Sequence, residues 1–254
     1  MRVEIVPCLS DNYAYIVVCP STGAVAVVDP SEAEPVLDAL ARLGAAPSVV
    51  LATHHHPDHV GGIPALAEKF PGLRVVAHAH DRDRVPNVTR LVEHGDEEAV
   101  GALRFRALHV PGHTLGAVAW SGEGAVFTGD TMFLGGCGRL FEGTPAMMHR
   151  SLTETIGSLS PETKVYCGHE YTVSNLKFAL HLEPDNGAVR EALAGAEARR
   201  AAGEPTVPGA LATERATNPF MRCGTQGVRA AVKVDGDDVA VLAAVRLAKD
   251  HFRA

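Results

Sequence analysis

At 254 residues the chain is long enough to bury a full hydrophobic core and to carry a smaller second part. Hydrophobic residues make up 46% and charged residues 21%, the balance of a soluble globular protein, and no apolar run is long enough to span a bilayer. The formal net charge of −7 argues against non-specific attachment to nucleic acid or to an acidic membrane surface, and leaves a small anionic substrate open.

The first eleven residues carry Glu4 among apolar neighbours and no small-residue cleavage site, so no signal peptide is expected and the cytoplasm is the expected location. Apolar runs at Val3–Cys8, Tyr13–Cys19 and Ala24–Val28 predict the opening strands, separated by turn residues. Ser31-Glu32-Ala33-Glu34 has capping-box spacing, which predicts a helix with Ser31 as N-cap and Val36, Leu37, Leu40 and Leu43 on its apolar side. That helix should stop near Gly44. Further strands are predicted at Ser48–Ala52, Arg74–Ala77, Arg104–Val110, Ala117–Trp120, Ala125–Thr128 and Lys164–Cys167.

From about Tyr171 the periodicity turns helical. One helix is expected around Leu176–Glu183, a second over Val189–Ala201 and a last over Asp237–Phe252, with the Pro- and Thr-rich Gly203–Asn218 as a long connection. The expected organisation is an α/β catalytic body over residues 1–170 and a helical part over residues 171–254. Five cysteines, odd in number and without a close pair, predict reduced core residues in place of a disulfide framework.

The strongest chemical signal is Thr53-His54-His55-His56-Pro57-Asp58-His59, directly after an apolar strand. On extended chain His54 and His56 point to one side and His55 to the other. Pro57 forces a turn that can swing Asp58 and His59 back toward the same space. A single histidine here would be a packing residue; four at this spacing suit two neighbouring borderline metal ions. Three strand-end turns supply further candidates: Gly112-His113, Gly129-Asp130 and Gly168-His169.

Counting donors, one ion would take His54, His56 and His113, the other Asp58, His59 and His169. Asp130 is then the natural bridge, with a bridging water completing both shells. Two divalent ions, two carboxylates and a hydroxide sum to +1, a charge that acidifies the bridging water and attracts a developing oxyanion. Asp58 and Asp130, with the bridging hydroxide, are the expected catalytic set, and no serine or cysteine nucleophile is needed. Zinc heads the expected metals, with iron or manganese also compatible with these donors. His78 and His80 have ligand-like spacing but no following Asp-His pair, so a surface strand end is expected there. His94, His109, His149, His181 and His251 have no supporting context, and Cys137 and Cys167 are expected as small core residues.

With the motif in hand, the chain resembles the glyoxalase II family, the hydroxyacylglutathione hydrolases of the metallo-β-lactamase superfamily. The likeness runs through Asp11-Asn12-Tyr13, the His54–His59 motif, Phe127–Thr131, Gly136–Arg139, Phe141–Thr144, Tyr166–Tyr171, Asn175–Phe178, Gly203–Pro208 and Asn218–Arg222. It implies a metallo-β-lactamase-type αββα sandwich with a helical C-terminal domain that helps bind substrate. It also implies hydrolysis of S-D-lactoylglutathione to D-lactate and glutathione, by the ligand set reached above by counting. The same likeness places Arg139, Phe141, Tyr171, Arg246 and Lys249 around the glutathione moiety. Phe141 stands where the family often has tyrosine, and Arg139 where it often has lysine. The partner expected is this small thioester, with no nucleic acid or membrane, on a chain expected to be a monomer. The rivals are a mononuclear-iron persulfide dioxygenase of the same superfamily and a non-catalytic metal-binding protein.

Overall fold

A computed structural model describes residues 1–253. They fall into two compact units, one of residues 1–109 with 116–129, the other of residues 110–115 with 130 onward.

The first unit opens with six strands that form one sheet in sequence order: β1 (Arg2–Cys8), β2 (Asn12–Val18), β3 (Val25–Val28), β4 (Val49–Leu51), β5 (Arg74–His78) and β6 (Arg90–Val92). β1, β2 and β3 pair antiparallel, and β3 to β6 pair parallel. Past Asn12, β2 reads like β3 as an unbroken apolar run, because both are buried on both faces. On one face Ile16, Val27, Val50 and Val75 pack with Val36 and Leu40 of helix α1 (Ala33–Leu43). Ile63 and Leu66 of α3 (Ile63–Lys69) join the same cluster, and the short helix α2 (Pro57–Val60) precedes it.

A meander of β7 (Glu97–Val100), β8 (Leu103–His109), β9 (Val118–Gly122) and β10 (Ala125–Gly129) covers the other face. Tyr15 of β2 meets Phe127 of β10 at 5.4 Å between ring centroids, and Phe127 meets Phe105 at 6.2 Å. The fully buried Trp120 donates its indole N–H to the Ala52 carbonyl at 3.0 Å, tying β9 to the end of β4. Trp120→Phe should therefore cost about 1–3 kcal/mol in chemical denaturation, because the carbonyl loses its partner where water cannot replace it. An unchanged midpoint would show that this carbonyl finds another donor.

The parallel register aligns Val28 with Leu51 and Leu51 with Val76. The segments that leave β3, β4 and β5 therefore emerge at one edge of the sheet, where open parallel sheets characteristically place their chemistry. Asp29, Thr53–His59 and Asp81 all lie on these three segments.

The second unit begins its regular structure with the two-residue strands β11 (Met132–Phe133) and β12 (Gly136–Cys137), which pair as a hairpin. Helix α4 (Pro145–Arg150) follows, then β13 (Lys164–Cys167), which pairs antiparallel with β14 (Gly209–Ala210). Helices α5 (Thr172–Leu182), α6 (Gly187–Ala201), α7 (Leu211–Thr217), α8 (Gln226–Val232) and α9 (Asp238–His251) complete it. Leu176 and Ala179 of α5 pack against Val189, Leu193 and Ala196 of α6, and the Phe178 and Phe220 rings stack at 6.4 Å.

Several local expectations change. Glu32, not Ser31, holds the N-cap position of α1 and makes no side-chain capping bond; the Ser31 hydroxyl donates instead to the Asp29 carbonyl. The expected connection Gly203–Asn218 contains β14 and α7. His78 is buried rather than at a surface strand end, its ring stacked on His109 at 4.2 Å. Burial, followed by the neighbouring His109, holds its pKa below the usual histidine value.

Candidate metal centre

In the first unit the chain leaves β4 extended through His54 and His56 and enters α2 with Pro57 at its first turn, where a missing N–H costs nothing. His54 and His59 are buried, and His56 is half-buried. His54 Nε2 and His56 Nδ1 lie 3.0 Å apart. The Asn12 amide donates to both the backbone carbonyl (3.0 Å) and the Oδ2 (3.2 Å) of Asp58, fixing that carboxylate's rotamer.

The residue that organises this half is Asp29, which sequence patterning did not single out. It is buried at the end of β3, where its φ of 46° turns the carboxylate toward the β4 segment. One oxygen accepts the Thr53 N–H at 2.7 Å, and the other accepts the Thr53 hydroxyl at 2.5 Å and the His59 Nδ1–H at 2.9 Å. Because Thr53 Oγ1 donates to Asp29, it accepts from His54 Nδ1 across 3.0 Å. Both imidazoles therefore carry their proton on Nδ1 and present Nε2 as the lone-pair nitrogen, the form a metal requires. Asp29, His54 and His59 do place potential ligand atoms within 4.8 Å of one another. With its oxygens already accepting these donors, Asp29 serves as the orienting carboxylate.

Asp29→Ala should weaken metal binding about 10–100-fold in a chelator competition, the usual cost of losing such a partner. Wild-type affinity in that variant would mean the backbone alone sets the two tautomers. His55 spends its nitrogens on the other side, as its alternation predicts: Nδ1 lies 3.3 Å from Asp81 Oδ1 and Nε2 meets Arg84, while its ring packs edge-on against His56 at 4.8 Å.

In the second unit His113 Nδ1 donates to the Arg139 carbonyl at 2.8 Å, so its Nε2 is again the lone-pair nitrogen. That Nε2 is 3.6 Å from Asp130 Oδ2, and His169 Nε2 lies 3.3 Å from the same oxygen. One buried carboxylate oxygen thus faces two buried imidazole nitrogens. Gly138 permits this: a Cβ there would sit 2.1 Å from the Asp130 carbonyl oxygen and 2.8 Å from His113 Nδ1. Burial pushes the thiols of Cys137 and Cys167 up to about 11 and about 12, so neither offers a thiolate near neutral pH.

The five residues expected around the substrate also lie in this unit. Tyr171 stacks on His169 at 4.8 Å, and Phe141 tilts against His113 at 5.1 Å, both with exposed edges. Arg139 is exposed and sits 3.6 Å from Asp250 Oδ1. Arg246 is buried: one nitrogen donates to the Cys137 carbonyl at 2.8 Å, another to Asp250 Oδ1 at 3.0 Å, and the guanidinium lies over Phe220. Lys249 is half-buried between Phe178 and Phe252, donates to Ser174, and is held down to about 8, chiefly by desolvation and secondly by Arg246. Asp250, which joins Arg139 to Arg246, gave no signal in the sequence.

The metallo-beta-lactamase superfamily model matches residues 10–169, and the model for the hydroxyacylglutathione hydrolase C-terminus matches residues 170–252. The chain is 46% identical to a hydroxyacylglutathione hydrolase of Synechococcus sp. and 47% identical to one of Gloeobacter violaceus, each across 99% of this chain and all of the relative. Among solved structures, ETHE1 from Myxococcus xanthus superposes with a TM-score of 0.68 at 25% identity, covering 98% of both chains. This chain, with its strand-end histidines and aspartates, belongs to the hydroxyacylglutathione hydrolase family of the metallo-β-lactamase superfamily.

Proposed function

We propose that the chain hydrolyses the thioester of 2-hydroxyacylglutathiones, S-D-lactoylglutathione foremost, to the 2-hydroxy acid and glutathione. The observation that carries the proposal is the Asp130 oxygen faced by the Nε2 atoms of both His113 and His169. An Asp130 oxygen so placed, with His113 Nδ1 already tied to a carbonyl, has the surroundings of a metal ligand. The donor chemistry fits two divalent ions. His54, His56 and His113 would hold one, Asp58, His59 and His169 the other, with Asp130 shared. Nitrogen and oxygen donors in this mixture suit zinc, and also iron or manganese. All seven lie within residues 10–169, the span matched by the superfamily model, and the C-terminal model begins at residue 170, which supports a functional boundary within one residue of 170/171.

Bound there, the ions would supply an acidified water and an electrophile for the thioester carbonyl. The chain's own groups do the rest. Asn12 fixes Asp58, and Asp29 fixes the tautomers of His54 and His59. Tyr171 and Phe141 offer aromatic edges beside His169 and His113 against which a substrate can lie. Arg139, Arg246 and Lys249 set a positive field for the carboxylates of glutathione, which steers and orients the anion.

The deciding experiment strips the purified protein of metal, reloads it with zinc or iron, and follows thioester loss from S-D-lactoylglutathione. Metal-dependent turnover is expected. A single iron with oxygen consumption on glutathione persulfide would select the dioxygenase reading instead.

Lys249 gives the proposal a pH signature. Its ammonium is charged below about 8 and neutral above, so KM should rise as pH climbs past 8 while kcat holds. Lys249→Met should show the high KM at every pH, because it loses binding shared by ground and transition states. A pH-independent KM in the wild type would remove Lys249 from the substrate's carboxylates.

A further inference from the structure

We infer that Asn218, Glu214 and Asn175 are positioning residues for the metal ligands: they hold the ribbon 133–137, and the ribbon sets Asp130 and His113. The inference rests on the metal-dependent reading above.

The ribbon cannot hold itself. β11 and β12 are two residues each, joined by Leu134 and Gly135, and every residue from Met132 to Cys137 is buried. Its turn peptides are out of reach of bulk water, so each needs a protein partner. Side chains from the C-terminal helices supply them one by one. Asn218 Nδ2 donates to the Phe133 carbonyl at 3.3 Å and to the Gly136 carbonyl at 3.0 Å. Asn175 Nδ2 donates to the Leu134 carbonyl at 3.2 Å. Glu214 Oε2 accepts the Gly135 N–H at 2.8 Å and lies 3.0 Å from Asn218 Nδ2, whose two amide protons it shares with the two carbonyls, locking the two clamps together. Asn218 is oriented in turn, since its Oδ1 accepts the Phe220 N–H at 3.1 Å. A side chain on Gly136 would place its Cβ 2.6 Å from the Asn175 amide nitrogen, so the fit is close.

Both ends of the ribbon run into the metal ligands. Asp130 lies two residues before Met132, and Arg139 lies two residues after Cys137. The Arg139 carbonyl is the group that takes the His113 Nδ1 proton and so aims its Nε2 at Asp130. Loosening the ribbon moves that carbonyl and the Asp130 backbone together. The clamp's polar atoms named here are spent on the ribbon, on one another and on the Phe220 N–H, so its loss should act on metal affinity and kcat and spare KM.

The test compares Asn218→Ala, Glu214→Ala and Glu214→Gln with Leu193→Ala, which removes core volume from the α5–α6 seam and leaves the clamp intact. Zinc affinity by chelator competition is measured well below each variant's unfolding temperature, alongside kcat and KM for the thioester. Asn218→Ala and Glu214→Ala should bind zinc about 10–100-fold more weakly and lose kcat in step, with KM within about twofold. Glu214→Gln keeps an acceptor oxygen and should restore zinc affinity. Leu193→Ala should unfold earlier yet bind zinc like the wild type.

Wild-type zinc affinity in folded Asn218→Ala and Glu214→Ala would overturn the inference, as would an equal loss in Leu193→Ala. Should Asn218→Ala fail to fold, Asn175→Ala, which removes the single bond to Leu134, is read against the same outcomes. Because zinc affinity needs no substrate, absence of thioester turnover in the wild type would defeat the proposed function and leave this test standing.

Discussion

Asp130→Ala is expected to lose turnover of the hydroxyacylglutathione thioester by about three orders of magnitude or more, the several kcal/mol that a metal-activated water and its electrostatics supply. The reason is specific to one oxygen. Asp130 Oδ2 lies 3.6 Å from His113 Nε2 and 3.3 Å from His169 Nε2, and the residue is only 8% exposed. Remove it and two buried imidazoles face each other with no anion between them. The proposed sharing of Asp130 by both ions predicts that metal content falls below two per chain as activity falls, where an electrostatic role alone would leave the metals bound. Asp130→Asn separates charge from shape: it keeps the volume and one acceptor oxygen, and should recover folding but not full occupancy. Two metals per chain with wild-type kcat in Asp130→Ala would show that Asp130 is not a ligand. Asp58→Ala, whose partner Asn12 stays in place, should give the milder loss.

What the sequence disclosed follows from how far apart interacting residues lie along the chain. The His54–His59 motif was legible because its members sit within one strand end and one helical turn, where local geometry decides their direction. The Asp29 carboxylate that orients His59 lies 30 residues upstream, and its partner Thr53 lies 24 residues away. Nothing near Asp29 marks it, beyond its place between the apolar run of β3 and Pro30. The clamp on Gly136 spans 82 residues, and no local pattern reports a contact of that kind. Gly203–Asn218 read as a connection because Leu211–Thr217 has one large apolar residue and no stripe; the helix forms around buried Leu211, Glu214 and Thr217. Ser31 failed as an N-cap although its spacing was right, since its hydroxyl serves the Asp29 carbonyl instead. Arg246 and Lys249 share a helical face by spacing, yet one is buried on Phe220 and the other half-buried on Phe178 and Phe252.

Glu214→Gln should stabilise the protein relative to wild type by about 3 kcal/mol more at pH 8 than at pH 4.5, an unusual sign for a carboxylate. Glu214 is 2% exposed, and burial raises its pKa from 4.5 to about 7, against the smaller pull of the Gly135 N–H and the Asn218 amide. Between those two values the native state keeps a proton that the unfolded chain has given up. Stability contributed by this group is therefore whole below about 4.5 and is lost as pH rises through about 7. The interval spans roughly 2.5 pH units, which at about 1.4 kcal/mol per unit sets the size of the effect. Glutamine keeps an oxygen for the Gly135 N–H and cannot ionise, so its stability carries no such slope. Subtracting the two urea denaturation curves at each pH cancels every other titrating group and isolates this one. Parallel curves from pH 4.5 to 8 would mean that the carboxyl titrates in the fold as it does in the unfolded chain. A difference that opens between pH 5 and 7 and then levels off would show that the chain carries a buried negative charge beneath the metal-ligand ribbon at a cost in stability, although a neutral acceptor would hold the Gly135 and Asn218 bonds as well.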